Sequence, residues 1–129
     1  AAHTARLHWL GGAFPFTAPA DGVLELLTPA GPYRVSVHDG EGRPLTGSVV
    51  AGAEDPPRGW QSRYYSTKEP VPSLAVERAG DLPLTFVTLL APAGVTLARL
   101  GTTLVVRTPG AEPVGLDTAG GILRTAEAR

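Results

Sequence analysis

Between residues 33 and 38 the chain alternates, with Tyr33, Val35 and Val37 on one side and Arg34, Ser36 and His38 on the other. A period of two is what a strand with one buried face requires, because successive side chains point to opposite faces of a sheet. Leu74 and Val76 alternate in the same way with Ala75 and Glu77, as do Leu104 and Val106 with Val105 and Arg107. Residues 84–90 are apolar on both sides and are predicted to form a central strand covered on both faces. No window carries the helical apolar period of about 3.6 residues. Sixteen Gly and thirteen Pro in 129 residues interrupt the chain too often for one. Residues 4–10, 22–28, 33–38, 47–51, 60–66, 73–78, 84–90, 95–100, 103–108, 113–116 and 121–124 each read as a strand bounded by turn residues. The predicted fold class is therefore all-β, an antiparallel β-sandwich of roughly ten short strands with no substantial helix. Asp39-Gly40-Glu41-Gly42 and Ala79-Gly80-Asp81 have turn chemistry, and each predicts a hairpin. Beyond Thr108 the strand-turn rhythm continues with weaker apolar content, and the last residues read as frayed.

Length changes this picture little, since 129 residues suit a single β-sandwich domain spanning 1–129. The absence of cysteine removes disulfides, thiolate metal sites and Cys nucleophiles together. A formal charge of −1 without a basic run gives no electrostatic footprint for nucleic acid, so an anionic ligand would have to be met by local cations. No apolar run approaches the ~20 residues of a membrane-spanning helix, and no membrane partner is expected. The opening AAHTARLHW lacks the layout of a signal peptide, starts with Ala and enters a strand almost at once. The chain is expected to be a piece of a longer protein.

The groups that titrate near neutrality are His3, His8 and His38, and none sits in a metal-binding motif. His3 and His8 would fall on opposite faces of a regular strand, so each histidine is expected to be a surface or satisfied structural residue. No phosphate-binding loop and no G-x-S-x-G elbow is present, and Glu54 and Asp55 read as solvated turn residues. No catalytic residue, metal or cofactor is assigned.

The stretch GWQSRYYSTKEP, residues 59–70, concentrates one of two Trp and two of three Tyr beside Arg63 and Lys68. As a strand it would place Trp60, Ser62 and Tyr64 on one face and Gln61, Arg63 and Tyr65 on the other. One functional reading is a ring stacked on a sugar while Arg58, Arg63 or Lys68 meets a carboxylate or sulfate. A tyrosine hydroxyl could also serve as a general acid or base. The plainer reading makes Trp60 and Tyr64 core-lining aromatics with their polar tips satisfied at the sheet rim.

Three segments in order, His8-Trp9 in RLHWLGG, then GWQSRYY leading through Pro70 and Pro72, then LPLTFVTLLAP at residues 82–92, resemble the C-terminal part of the heparinase II/III-like polysaccharide lyases. The resemblance spans roughly Arg6 to Pro92. It implies that a parent enzyme carries out β-elimination on uronic-acid polysaccharides, with Asn, His and Tyr supplied by an N-terminal α/α toroid. Neither the toroid nor its catalytic motif is within these residues, and the first strands of the β-domain, with a further family histidine, are expected upstream of Ala1. By the same resemblance Trp60, Ser62 and Tyr64 match the family segment and are candidates for facing the cleft or the domain interface. Arg63 and Tyr65 join them as substrate-binding candidates on chemical grounds.

The expected role is thus a C-terminal β-sandwich domain, inert alone, that supports the toroid and lines the cleft. Its expected partners are an acidic polysaccharide and the toroid of the same parent, for which a periplasmic or secreted location is favoured. The alternatives are an independent carbohydrate-binding module and a purely structural one.

Overall fold

The computed structural model describes residues 2–117 and 124–126, and every regular element in them is a strand. In chain order these are β1 (Ala2–Leu10), β2 (Phe16–Ala20), β3 (Val23–Thr28), β4 (Gly31–His38), β5 (Ser48–Ala51), β6 (Ala53–Glu54), β7 (Pro57–Arg58), β8 (Trp60–Gln61), β9 (Glu69–Pro70), β10 (Pro72–Asp81), β11 (Val87–Pro92), β12 (Thr96–Leu100), β13 (Thr103–Arg107), β14 (Val114–Asp117) and β15 (Arg124–Ala126). The expected all-β class holds. A first sheet has the order β1-β10-β5, a second β11-β4-β3-β2 and a third β12-β13-β14-β15, while β6-β7 and β8-β9 are two-stranded ribbons.

The first two sheets face each other across one aliphatic core. Leu24 and Leu26 from β3 and Val35 and Val37 from β4 meet Leu74 and Val76 from β10. These are the alternate positions of each strand, so the period-two pattern and the buried layer coincide. Full burial of each Leu contributes about 1.5–3 kcal/mol, and Leu24 and Leu74 are completely enclosed. Leu7, Trp9, Leu45, Val49 and Phe86 close the core's margins. Trp9 spans the two layers by donating its indole N–H to Thr88 Oγ1 at 3.1 Å, which satisfies the polar handle of a half-buried ring.

Of the two expected hairpins, the first forms and the second is corrected. The 39–42 turn forms, with Asp39 Oδ1 accepting from the backbone N–H groups of Glu41 and Arg43 at 2.9 Å. Pro44 then pairs antiparallel with His38, and Leu45 donates its backbone N–H to Val37 at 2.9 Å, before β5 crosses to the first sheet. Ala79-Gly80-Asp81 is no turn at all, because β10 runs through it in register with Thr4, His3 and Ala2 of β1. Local chemistry chose the first turn correctly, whereas the destination of each strand depends on which layer its apolar face completes.

Residues 84–90 were expected at the centre of a sheet, but the strand is Val87–Pro92 and lies at a sheet edge. Its two apolar faces have a different cause, since Leu89 and Ala91 border a cavity shared with Val95 and Leu97 at the start of the third sheet. Val105, expected opposite the buried face of β13, is as enclosed as Leu104. The edge strand β2 was not anticipated; Pro19 lies within it, and its pairing with β3 is irregular between Thr17 and Ala20. Of the expected strand at 121–124, residues 121–123 lie outside the described residues, as do the last three, 127–129.

Leu74→Ala is expected to lower the unfolding free energy by about 2–5 kcal/mol in urea titrations. Leu27→Ala, at a position 42% exposed on β3, is expected to cost well under half as much.

Candidate functional site

The GWQSRYYSTKEP stretch departs from a regular strand after two residues. Only Trp60–Gln61 is extended, paired with Glu69–Pro70, and residues 62–68 form the connecting loop of this narrow ribbon. The loop is tied to one atom, the carbonyl oxygen of Tyr64. It accepts from Ser62 Oγ at 2.8 Å, Thr67 Oγ1 at 2.9 Å and the Thr67 backbone N–H at 3.2 Å. Hydroxyl side chains that bond nearby backbone favour such turns over strands, and Ser66 completes the reversal with a φ of 62°.

This geometry separates the candidate residues. Tyr64 and Tyr65 project from the loop, 76% and 98% exposed, so neither lines the core. Trp60 is half-buried, donates Nε1–H to the Ala53 carbonyl at 2.7 Å and carries Lys68 Nζ 4.1 Å from its ring centroid. One face of the indole is thereby occupied by a cation. Arg63 pairs with Glu69 at 2.9 Å, and Gln61 donates to that same carboxylate. Lys68 also lies 3.6 Å from Glu54. The tip thus carries its own counter-ions, and its least committed groups are the two tyrosine rings. Ser62, expected beside Tyr64 on one face, instead braces the turn.

The ribbon is anchored by Gly59 and Arg58. Gly59 has a φ of +81°, and a Cβ there would stand 2.8 Å from the carbonyl oxygens of Val50 and Val71, so only glycine fits between the two strands. Arg58 lays its guanidinium on the outer face of the first sheet. Nε donates to Ser73 Oγ (3.0 Å), Nη1 to Ser48 Oγ (2.8 Å), and Nη2 to the Ser48 and Ser73 carbonyls (2.6 and 2.8 Å). Offered in the sequence as an anion contact, Arg58 is chiefly a clasp between β5 and β10. Desolvation, and then the charge of Arg6, lower its pKa from the usual arginine value.

The histidines divide as well. His8 is exposed, with its pKa lowered by desolvation and by the charges of Arg6 and Arg58, against the pull of Glu77. His38 is buried at 7% exposure. Its Nε2 lies 3.0 Å from Ser36 Oγ, while Nδ1 is buried with no hydrogen-bond partner of ordinary geometry among the described residues. His38 was expected to be a surface or satisfied residue, and it is neither in full. Burial lowers its pKa, offset in part by the Gly42 backbone and Asp39. His38 falls on the polar side of β4, which predicts exposure, but Pro44 bridges back to it and both border a cavity with Val95, Thr96 and Leu97.

Among the described residues, no three of His, Asp and Glu gather as metal ligands would. The arrangement offers aromatic display and paired charges rather than an acid–base constellation. No family model, curated protein or solved structure matches the chain. The fold and the site therefore define an all-β, sandwich-like domain with a projecting aromatic tip.

Gly59→Ala is expected to lower the melting temperature sharply, with a loss of more than about 1 kcal/mol, whereas Ser62→Ala should cost less than half of that loss. For His38, a folded-state pKa below the ordinary value of 6.5 means that the unfolded chain takes up the proton first as pH falls. Its stabilising contribution is complete above about pH 6.5 and is lost as pH falls through the folded value. Urea titrations between about pH 7.5 and about pH 5 should show stability falling toward acid, with a shallower slope in His38→Gln. His8, shifted in the same direction, supplies part of the remaining slope, and the double variant should be flatter still.

Proposed function

We propose that the chain is the C-terminal β-sandwich domain of a heparinase II/III-like polysaccharide lyase. In this reading it supports the catalytic toroid and turns the 62–67 tip toward an acidic polysaccharide. The observation that carries the proposal is the display of Tyr64 and Tyr65 on a turn braced at a single carbonyl, within the segment that resembles the family. A tyrosine offers a broad, amphipathic contact surface and loses little conformational entropy on binding. Elimination at a uronate needs neutralisation of the carboxylate, a base for the adjacent proton and an acid for the leaving oxygen. The tip could contribute to the first through Arg63 only by exchanging its partner Glu69, and the exposed pair costs little to exchange. The base and the acid belong, in this proposal, to the toroid.

An independent carbohydrate-binding module is the second reading, favoured by the same tyrosines because neither ring is committed to packing. The two differ in selectivity and are separated by measuring binding of the chain to heparin, alginate and neutral glucans, with assay for unsaturated uronate ends. The lyase-domain reading expects preference for the acidic polymers, weakened about tenfold by Tyr64→Ala or Tyr65→Ala, with unchanged melting temperature and no unsaturated ends. Equal binding to neutral glucans would favour the independent module. Failure of the folded chain to bind any polymer would overturn the tip as a sugar surface, and elimination by this chain alone would overturn an inert domain.

A further inference from the structure

The outer face of the first sheet carries a second feature, separate from the aromatic tip. An open groove of about 540 Å³ crosses β10, bordered by Arg6, Asp21, Thr46, Ser48, Ala75 and Glu77. Register explains its shape. His8, Ala75 and Ser48 lie in one row across β1, β10 and β5, and Arg6 and Glu77 face each other in the next outward-pointing pair. The methyl group of Ala75 between longer neighbours makes the floor.

The two flanks differ in chemistry. On the β1 side, the Arg6 side chain is 43% exposed, and among the described residues its contact is a loose 3.6 Å pair with Glu77. Glu77 is itself 58% exposed, so that carboxylate can turn away at little cost. On the β5 side stand the hydroxyls of Thr46 and Ser48, with Asp21 held by a 3.4 Å contact from the Gly47 backbone N–H. Arg58 borders this side through Ser48 and spends four of its five N–H donors there. One Nη1 hydrogen is left over. The charges at the β1 side are mixed: after desolvation, Arg6 and Arg58 lower the pKa of His8, and Glu77 raises it.

We propose that this groove binds a polyhydroxylated small molecule bearing one oxyanion, a carboxylate or sulfate. The oxyanion lies beside Arg6 and His8, where the guanidinium is engaged through Nε with Glu77 at 3.6 Å and its four Nη hydrogens face no described acceptor. Hydroxyl groups of the ligand reach across Ala75 to Ser48 and Thr46 and donate to the carboxylates of Asp21 and Glu77. The site is on a different surface from the 62–67 tip and does not rest on the function proposed for it.

The test is a heteronuclear NMR titration of the chain at low salt with gluconate, with sorbitol as its neutral counterpart and with inorganic sulfate. Gluconate is expected to move the amide signals of Gly47, Ser48, Ala75 and Glu77, and to raise the titration midpoint of His8 by adding negative charge beside it. Arg6→Gln, an exposed change whose folding the same spectra report, should weaken gluconate about tenfold, and sorbitol should bind weaker by a similar factor. Tyr65→Ala should leave gluconate binding unchanged. The proposal is overturned if gluconate moves none of these signals in the folded chain, or if Arg6→Gln binds it as tightly. Sorbitol binding as well as gluconate would overturn the oxyanion part, and sulfate binding as well as gluconate would overturn the hydroxyl part. Loss of binding in Tyr65→Ala would place the ligand at the tip instead.

Discussion

Leu74 and Val76 of β10 have to face Leu24, Leu26, Val35 and Val37, and most of the molecule follows from that seam. Strand alternation leaves no freedom afterwards: with those two side chains inward, Ser73, Ala75 and Glu77 must point out. The outward row then sets what the first sheet can carry. Ser73 becomes an anchor for Arg58, Ala75 a floor, and Glu77 the partner of Arg6. A slip of one residue in β10 would bury Glu77 and expose Leu74. The hydrophobic seam thus fixes the polar surface as firmly as it fixes the core.

The same strand explains how the aromatic tip is held. Gly59 passes close to Val50 and Val71, and its carbonyl accepts from the backbone N–H groups of Gly52 and Val71, each at 2.9 Å. Trp60 enters directly from this crossing and is fixed by its bond to Ala53 and by the Lys68 charge over its ring. Tyr64 and Tyr65 stand beyond the last of these contacts. Their exposure costs the fold no core packing, which is why they are free to serve a partner surface while Trp60 is not.

How much of this was legible in the sequence depends on the range of the interaction concerned. The faces of β3, β4 and β10 were plain, because alternation needs only the local strand geometry and one buried side. Pairing was less so. Asp39 chose its turn from its own side chain and Leu45 returns to bond Val37, but Val49 joins the core margin from the first layer, and no local signal around Gly40 or Gly42 announces the crossing. In GWQSRYYSTKEP the aromatics suggested a strand, whereas Ser62, Ser66 and Thr67 were the informative residues. Three hydroxyl residues within six positions are a turn signal, and weighing them above the rings would have put Tyr64 and Tyr65 at a tip. The His38 burial depended on the return of Pro44 across the turn and on Val95, Thr96 and Leu97 across a shared cavity, the latter distant in sequence.

The two polar surfaces differ in how their charges are spent, and that difference has a physical origin in backbone rigidity. At the tip, Arg63 and Lys68 emerge near a turn and can swing to the nearest carboxylates, Glu69 and Glu54, so the charge is cancelled locally. On the first sheet, Arg6 rises from a strand whose spacing is set by the ladder, and Arg58 reaches in from the β6-β7 ribbon. Arg58 is held in place by the uncharged oxygens of two serines, and Arg6 meets Glu77 at 3.6 Å, the separation of Lys68 from Glu54 at the tip. Mobile side chains relax toward neutrality, whereas side chains held by a sheet can keep like charges near one another. Arg6 lowers the pKa of both His8 and Arg58, which is the trace of that unrelaxed field. A cation that rises from a sheet ladder with donors to spare is where an anion gains most on arrival, since the protein has already met the cost of arranging it.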